Sequence, residues 1–208
     1  RRHTRLRTVT GVQTCALPIS EVEQLLRLVQ RVYGDFGLEY KVKLSTRPEK
    51  YLGTIETWDH AEASLRSALE AAQQPYTLNE GDGAFYGPKI DFCVLDAVKR
   101  QWQLSTVQLD FSMPERFGLT YVDSDGRERR PVMIHRAILG SLERFIGILV
   151  EHTAGTFPLW LAPWQVRLVT VSDRQNDYAA SVARYFDARG VRAWPDLRNQ
   201  KRSEEHHV

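Results

Sequence analysis

Apolar residues recur at helical spacing near the start of the chain: Val22, Leu25, Leu26, Val29, Val32 and Tyr33 share one face at about 3.6 residues per turn. Ser20 and Glu23 stand ahead of them at capping-box spacing, so an amphipathic helix is predicted from Ser20 to about Gly34–Gly37. Tyr40-Lys-Val-Lys-Leu44 then alternates apolar and charged positions, as a half-buried strand does, and Pro48 turns the chain into a loop. A second helix is predicted from Asp59 to Ala72, burying Ala61, Leu65, Ala68, Leu69 and Ala72. From Tyr76 to Ile134 the runs shorten to Ile90–Val94, Gln101–Phe111, Leu119–Val122 and Val132–Ile134. Turn residues at Gly81–Gly87 and Asp123–Gly126 separate them, which reads as an antiparallel meander. A long helix, Arg136–His152, is predicted to follow, with Ile138, Leu142, Phe145, Ile146 and Leu149 as its core stripe.

The connector Thr153–Pro163, with two prolines and a glycine, reads as a domain boundary. Beyond it Val166–Val171 is a buried type of strand, Ala179, Val182, Ala183 and Phe186 make a helical stripe ended by Gly190, and a further strand opens at Val191. This alternation is the opening of an α/β domain. Residues 1–19 show neither periodicity and stay unassigned.

A length of 208 residues allows one domain or two small ones, and 42% hydrophobic residues suffice for a core. Lys and Arg number 28 against 26 Asp and Glu, a net charge of +2, so contact with nucleic acid is confined to local patches. Cys15 and Cys93 lack CxxC spacing, which removes zinc-ribbon and disulfide-scaffold readings and favours a reducing, cytoplasmic setting. No apolar run approaches the roughly 20 residues that span a bilayer, so neither membrane insertion nor secretion is expected.

Several segments could carry chemistry. Ala137, Gly140, Ser141 and Arg144 fall together on one flank of the predicted long helix, small residues around a single guanidinium. Arg144 reads either as a structural ion-pair partner of Glu143 or Glu151, or as a planar cation placed for phosphate or an aromatic ring. His135 sits at the expected strand-to-helix junction, where one histidine without ligand-spaced partners reads as structural or capping. Gly81–Lys89 crowds glycines around Phe85, Tyr86 and Lys89 but has neither Walker nor Rossmann spacing. Alternation places Gln101, Gln103 and Ser105 on one strand face, suited to a polar small molecule or simply to solvent. The basic run Arg127-Glu-Arg-Arg130 after its turn reads as a solvated hairpin tip.

His135-Arg-Ala-Ile-Leu-Gly-Ser-Leu-Glu-Arg-Phe145 resembles the third signature motif of class II aminoacyl-tRNA synthetases, in the form found in the threonyl-tRNA synthetase family. KLSTRPEK at Lys43–Lys50, GAFYGPKIDF at Gly83–Phe92, STVQLDF at Ser105–Phe111, PVMIHRA at Pro131–Ala137 and DLRN at Asp196–Asn199 are similar to that family in the same order. The resemblance runs from about Ser20 to Lys201. It implies an α+β fold, part of the class II antiparallel sheet with flanking helices, followed by the start of an α/β anticodon-binding domain. Residues 20–157 would belong to the catalytic domain and 158–201 to the anticodon-binding domain.

The implied activity is ATP-dependent joining of threonine to tRNA(Thr) through threonyl-adenylate, in a homodimer, with ATP and magnesium as substrate and a zinc that selects threonine by its hydroxyl. A site that must engage a hydroxyl rejects the isosteric valine far better than an apolar pocket does. Residue by residue, the resemblance makes His135 a zinc ligand and gives Arg144 a catalytic, ATP-clamping role. Gln103 and Thr106 become nucleotide contacts, and Tyr86 and Gln108 threonine contacts, with Lys89 (catalytic) and Ser141 (threonine-binding) as further candidates in that pocket. The family's other two zinc ligands, its first motif and the arginine of its second motif lie upstream of the matched region. The 208-residue chain alone is therefore expected to be inactive. The alternative is a non-catalytic, synthetase-like binding or dimerisation module. GVQTCALPIS and RSEEHHV are similar to translated sequencing-adapter bases, so residues 1–19 and 202–208 are expected to be non-native.

Overall fold

The computed structural model describes residues 18–123 and 125–198. The expectations for residues 1–17 and 202–208 lie outside them. In chain order the elements are α1 (Pro18–Asp35), β1 (Tyr40–Ser45), α2 (Ile55–Ala71), β2 (Tyr76–Asn79), β3 (Lys89–Leu95), β4 (Gln101–Asp110) and α3 (Ser112–Arg116). There follow β5 (Tyr121–Val122), β6 (Glu128–Arg129), β7 (Met133–Ala137), α4 (Leu142–His152), β8 (Val166–Val169), α5 (Asn176–Asp187) and β9 (Ala193–Asp196). The chain divides into two compact units between His152 and Thr153, so the whole Pro-rich connector goes with the second unit.

The first unit is a five-stranded sheet in the order β2-β1-β3-β4-β7. It is antiparallel except where β1 and β2 run parallel, an arrangement that the intervening helix α2 makes possible. The expected meander is therefore corrected: β2 pairs back onto β1 at the edge, and β5 and β6 form a separate hairpin. At that hairpin the basic run is tied down by Arg129, which pairs with Asp123 at 2.7 Å and Asp125 at 2.9 Å.

Helix α1 begins two residues before the expected Ser20. Proline suits a first helical position because its ring presets φ and its missing N–H would have no helical partner there. Its apolar face is the predicted one, with Val22, Leu25, Leu26, Val29 and Tyr33 buried. Helix α2 starts four residues earlier than predicted, at a Thr54 cap whose hydroxyl accepts from the Thr57 amide at 3.3 Å. Trp58 joins its buried face, while Ala72 is the half-exposed C-cap.

The largest correction concerns α4. Residues Met133–Ala137 pair with Asp110–Thr106 of β4, so His135 lies within a strand, and the helix waits until Leu142. Gly140, at φ +66°, ends the extended stretch, and a Cβ there would come within 2.8 Å of the Leu104 carbonyl oxygen. The buried stripe becomes Phe145, Ile148 and Leu149, whereas Leu142 and Ile146 are 61% and 53% exposed.

Strand β4 holds the feature that positions the site. Gln103 pairs with Cys93 and Ser105 with Phe92, so Leu104 is an extra residue, a β-bulge. Beyond it Thr106, Gln108 and Asp110 return to the face of Gln103, and Ser105 turns to the helix side with Phe92. This overturns the expectation that Gln103 and Ser105 share a face. The displaced Ser105 amide donates to the buried Tyr33 hydroxyl of α1 at 3.0 Å, the two hydroxyls are 2.6 Å apart, and Ser105 Oγ donates to the Ile138 carbonyl. Burial pushes the Tyr33 phenol's pKa up, so it stays neutral.

In the second unit β8 and β9 pair in parallel with α5 between them, and α5 buries Ala179 and Ala183. The strands run shorter than the predicted Val166–Val171 and the start at Val191. Arg167 and Arg198 both bond Asp196 on β9, and the Trp164 and Trp194 rings stack 4.9 Å apart. Among the described residues no helix is long and apolar enough to cross a membrane.

Tyr33→Phe removes the acceptor of a buried amide and is expected to lower stability by about 1–3 kcal/mol. Urea denaturation checks this; an unchanged midpoint would show that the hydroxyl does not hold the bulge.

Candidate active site

Three strands set their polar side chains in register on the face opposite the core. Lys89 on β3 pairs with Gln108 on β4, and Gln108 pairs with His135 on β7; the next row is Asp91, Thr106 and Ala137. Two buried carboxylates organise these rows.

Asp91 is the first. Its Oδ1 accepts from Gln103 Nε2 at 2.6 Å and Thr106 Oγ1 at 2.9 Å. Its Oδ2 accepts from Ser45 Oγ at 3.1 Å and lies 3.0 Å from Lys89 Nζ. Lys89 also reaches Asp82 at 3.1 Å. Burial works to lower the pKa of the Lys89 ammonium, but bonding and attraction from Asp91, then Asp82, outweigh it and raise the pKa above its ordinary value. Lys89 is thus a fixed cation, not a proton acceptor.

Asp110 is the second. Its Oδ1 accepts the Ser112 and Met113 amides at 2.9 Å each, which pins the carboxylate to the start of α3. Its Oδ2 lies 2.8 Å from His135 Nε2, so the ring is oriented with Nδ1 turned away from the carboxylate. Tyr86 packs edge-on against His135, with ring centroids 5.8 Å apart, and donates its hydroxyl to Gln108 Oε1. Burial, then the Asp110 carboxylate, push the Tyr86 phenol's pKa up against the pull of Lys89. Tyr86 is therefore a neutral donor that holds the Gln108 oxygen and takes no part of the amide N–H groups.

Two glycines of the Gly81–Lys89 segment, Gly83 and Gly87, serve close approach. At Gly87 a Cβ would stand 1.7 Å from the Leu109 carbonyl oxygen, so only glycine lets the loop lie against β4 and deliver Tyr86. Tyr86 also lines a cavity of ≈ 110 Å³ together with Leu52, Trp58 and Phe111.

Arg144 stands at the first turn of α4. Its Nη1 donates to the Gln103 carbonyl at 3.0 Å and its guanidinium lies over Trp102, so neither Glu143 nor Glu151 is its partner among the described ion pairs. Ser141 caps the same helix, its Oγ accepting the Arg144 amide at 3.2 Å, and so joins Arg144 instead of the Tyr86–Gln108 pair. Among the described residues no group of three His, Cys, Asp or Glu is placed to hold a metal ion. His135 with Asp110 falls short of the three or four protein ligands a zinc site takes, so these residues alone do not fit that ion.

The structure thus brings Tyr86, Lys89, Gln103, Thr106, Gln108 and His135 onto one face. Asp91 and Asp110, which tie them together, were missed by sequence reasoning; the available signal was a carboxylate flanked by apolar residues in each strand, Ile90-Asp91-Phe92 and Leu109-Asp110-Phe111. Asp91→Ala leaves the largely buried Lys89 with Asp82 alone and is expected to cost about 3 kcal/mol, part of which Lys89→Met should restore in the double variant. Thermal and urea melts test it, and a double variant no better than Asp91→Ala would show that the pair is not coupled.

A family profile described as the tRNA synthetase class II core domain (G, H, P, S and T) matches residues 9–153, beginning inside the stretch expected to be foreign. The chain is 55% identical over 181 residues to a threonine–tRNA ligase of Symbiobacterium thermophilum and 56% identical over 181 residues to one of Finegoldia magna. Each match covers 87% of this chain, which spans only 28% of the length of these curated relatives. A crystal structure described as the RNA binding domain of threonyl-tRNA synthetase from Cryptosporidium parvum superposes with a TM-score of 0.84 at 43% identity, over 90% of this chain and 48% of that one. The chain belongs to the class II tRNA synthetase core-domain family, and within that family its resemblance is to threonine–tRNA ligases.

Proposed function

We propose that this chain forms one wall of the site in which a threonine–tRNA ligase activates threonine with magnesium-bound ATP before transfer to tRNA(Thr). The observation that carries this reading is the ordering of side chains along β4. The Tyr86, Gln108 and His135 cluster lies at one end of the polar face, and Gln103, beside Arg144, lies at the other. Gln103 and Gln108 stand opposite Cys93 and Lys89, four residue steps of β3, roughly 13 Å at about 3.3 Å per residue, room for an extended ligand with an amino-acid end and a nucleotide end.

In this reading Gln108 offers its amide N–H groups to the amino-acid end, held by the neutral Tyr86. Gln103 gives its N–H to Asp91 and keeps its side-chain oxygen as acceptor for the amine of adenine. Thr106, on the row between them, likewise gives its proton to Asp91 and presents lone pairs. Arg144 supplies a planar cation for the base and phosphates, and Lys89 a positive charge that persists at any physiological pH. Ser141 fixes the helix turn that carries Arg144. The zinc that the family resemblance implies has one candidate ligand here, His135, and needs ligands beyond these residues. The second unit, with its parallel β8–α5–β9, is the opening of the anticodon-binding domain, a reading supported by the RNA-binding description of the Cryptosporidium parvum relative.

Calorimetric titration with a non-hydrolysable threonyl-adenylate analogue tests this reading. The chain is expected to bind it, and Gln108→Ala and Arg144→Ala are each expected to weaken binding about tenfold, the equivalent of about 1.4 kcal/mol. Affinity unchanged by both substitutions would refute it.

A further inference from the structure

Arg144 is held in a way that its role in the helix does not explain. Strand β7 pairs with β4 from Thr106 to Asp110, so among the described residues the β4 edge before Ser105 has no strand on that side. Arg144 occupies that edge, with Nη1 on the Gln103 carbonyl and its guanidinium carbon 5.6 Å from the centroid of the Trp102 ring. Arg144 itself stays exposed, and an exposed arginine with no such support would sample many rotamers.

The Trp102 ring is in turn fixed. Its Nε1–H donates to Asp96 Oδ2 at 2.8 Å, and Arg100 lies over the same ring at 5.5 Å. Asp96 is buried at the β3–β4 turn, where it also accepts the Val98 and Arg100 amides at 3.0 and 2.8 Å and Arg100 Nε at 2.6 Å. Burial pushes its carboxyl upward, but the bonds from Trp102 and Arg100 prevail and hold its pKa at about 2, so it is an anion at all working pH values. The turn, the indole and the arginine form one chain of contacts that runs from a hairpin tip to the proposed nucleotide end of the site.

We propose that Trp102, anchored by Asp96, is a positioning residue for Arg144: it holds the guanidinium against the β4 edge with its other side open, so that little side-chain freedom remains to be lost when a nucleotide binds. The inference rests on the reading of Arg144 as a nucleotide contact. It assigns Trp102 no contact with substrate.

The test is an ATP–magnesium titration of the 208-residue chain followed by two-dimensional NMR, which also resolves the Arg144 Nε–H. In the wild type that signal is expected upfield of ordinary arginines because of the indole ring current, and Trp102→Leu should return it to the ordinary position. Trp102→Leu should weaken ATP about tenfold, Trp102→Phe should recover most of the loss, and Trp102→Leu should add nothing in an Arg144→Ala background. Equal losses from Trp102→Leu with and without Arg144, or an unshifted Nε–H in the wild type, would overturn the positioning role while leaving Arg144 as a nucleotide contact. No effect of Arg144→Ala on ATP would instead overturn the reading beneath it, and the positioning role with it. If Trp102→Leu does not fold, Trp102→Phe and the wild-type Nε–H shift decide the matter by themselves.

Discussion

One extra residue in a strand governs the polar face of this protein. Side chains alternate with a period of two, so in a regular strand Gln103 and Thr106 would point to opposite faces. The bulge at Leu104 resets the alternation and turns both toward Asp91, while Ser105, left between them, faces the helices. A bulge leaves an amide without its ladder partner, and an unpaired buried amide is costly. Here the Tyr33 hydroxyl takes it, the Ser105 hydroxyl ties the same point to Ile138, and Gly140 gives the following turn room to pass over the Leu104 carbonyl. Helix α1, the bulge and the turn into α4 are thus one joint, and Arg144 leaves that joint three residues after Ser141.

The chemistry of the face follows from two buried carboxylates with different duties. Asp91 collects neutral donors and one ammonium, which fixes Gln103 and Thr106 by their protons and leaves their oxygens outward. Asp110 is fixed by backbone amides at the start of α3 and orients an imidazole. Burial of such carboxylates is tolerable only because each has its bonds satisfied from several directions. The face therefore presents acceptors near Asp91, N–H donors near Tyr86, and fixed positive charge from Lys89 and Arg144.

Much of this was legible in the sequence, and the failures share a cause. The apolar stripe of α1 and the strand character of Tyr40–Leu44 and Ile90–Val94 depend on local periodicity, which a sequence displays directly. The residue-by-residue resemblance also located most of the side chains that meet on the polar face. What periodicity misjudged was register. It read Gln103 and Ser105 as neighbours by carrying a period of two on from Gln101, although the apolar positions shift phase from Trp102 and Leu104 to Val107 and Leu109 at the bulge. It began the last helix of the first unit at Arg136 because Ile138 stands at helical spacing from Leu142 and Phe145. Strand pairing with β4, a non-local interaction, settles Met133–Ala137 as β7. The parallel pairing of β1 with β2 was hidden for the same reason.

The bulge itself is the claim on which the rest depends. Nuclear Overhauser spectra of the chain with labelled Gln103 and Thr106 measure it directly. The account predicts cross-peaks between the Gln103 side-chain amide and the Thr106 methyl, together with contacts from the Ser105 amide to the Tyr33 ring. Cross-peaks from the Ser105 side chain to Gln103, with none between Gln103 and Thr106, would mean an unbroken strand and would contradict it.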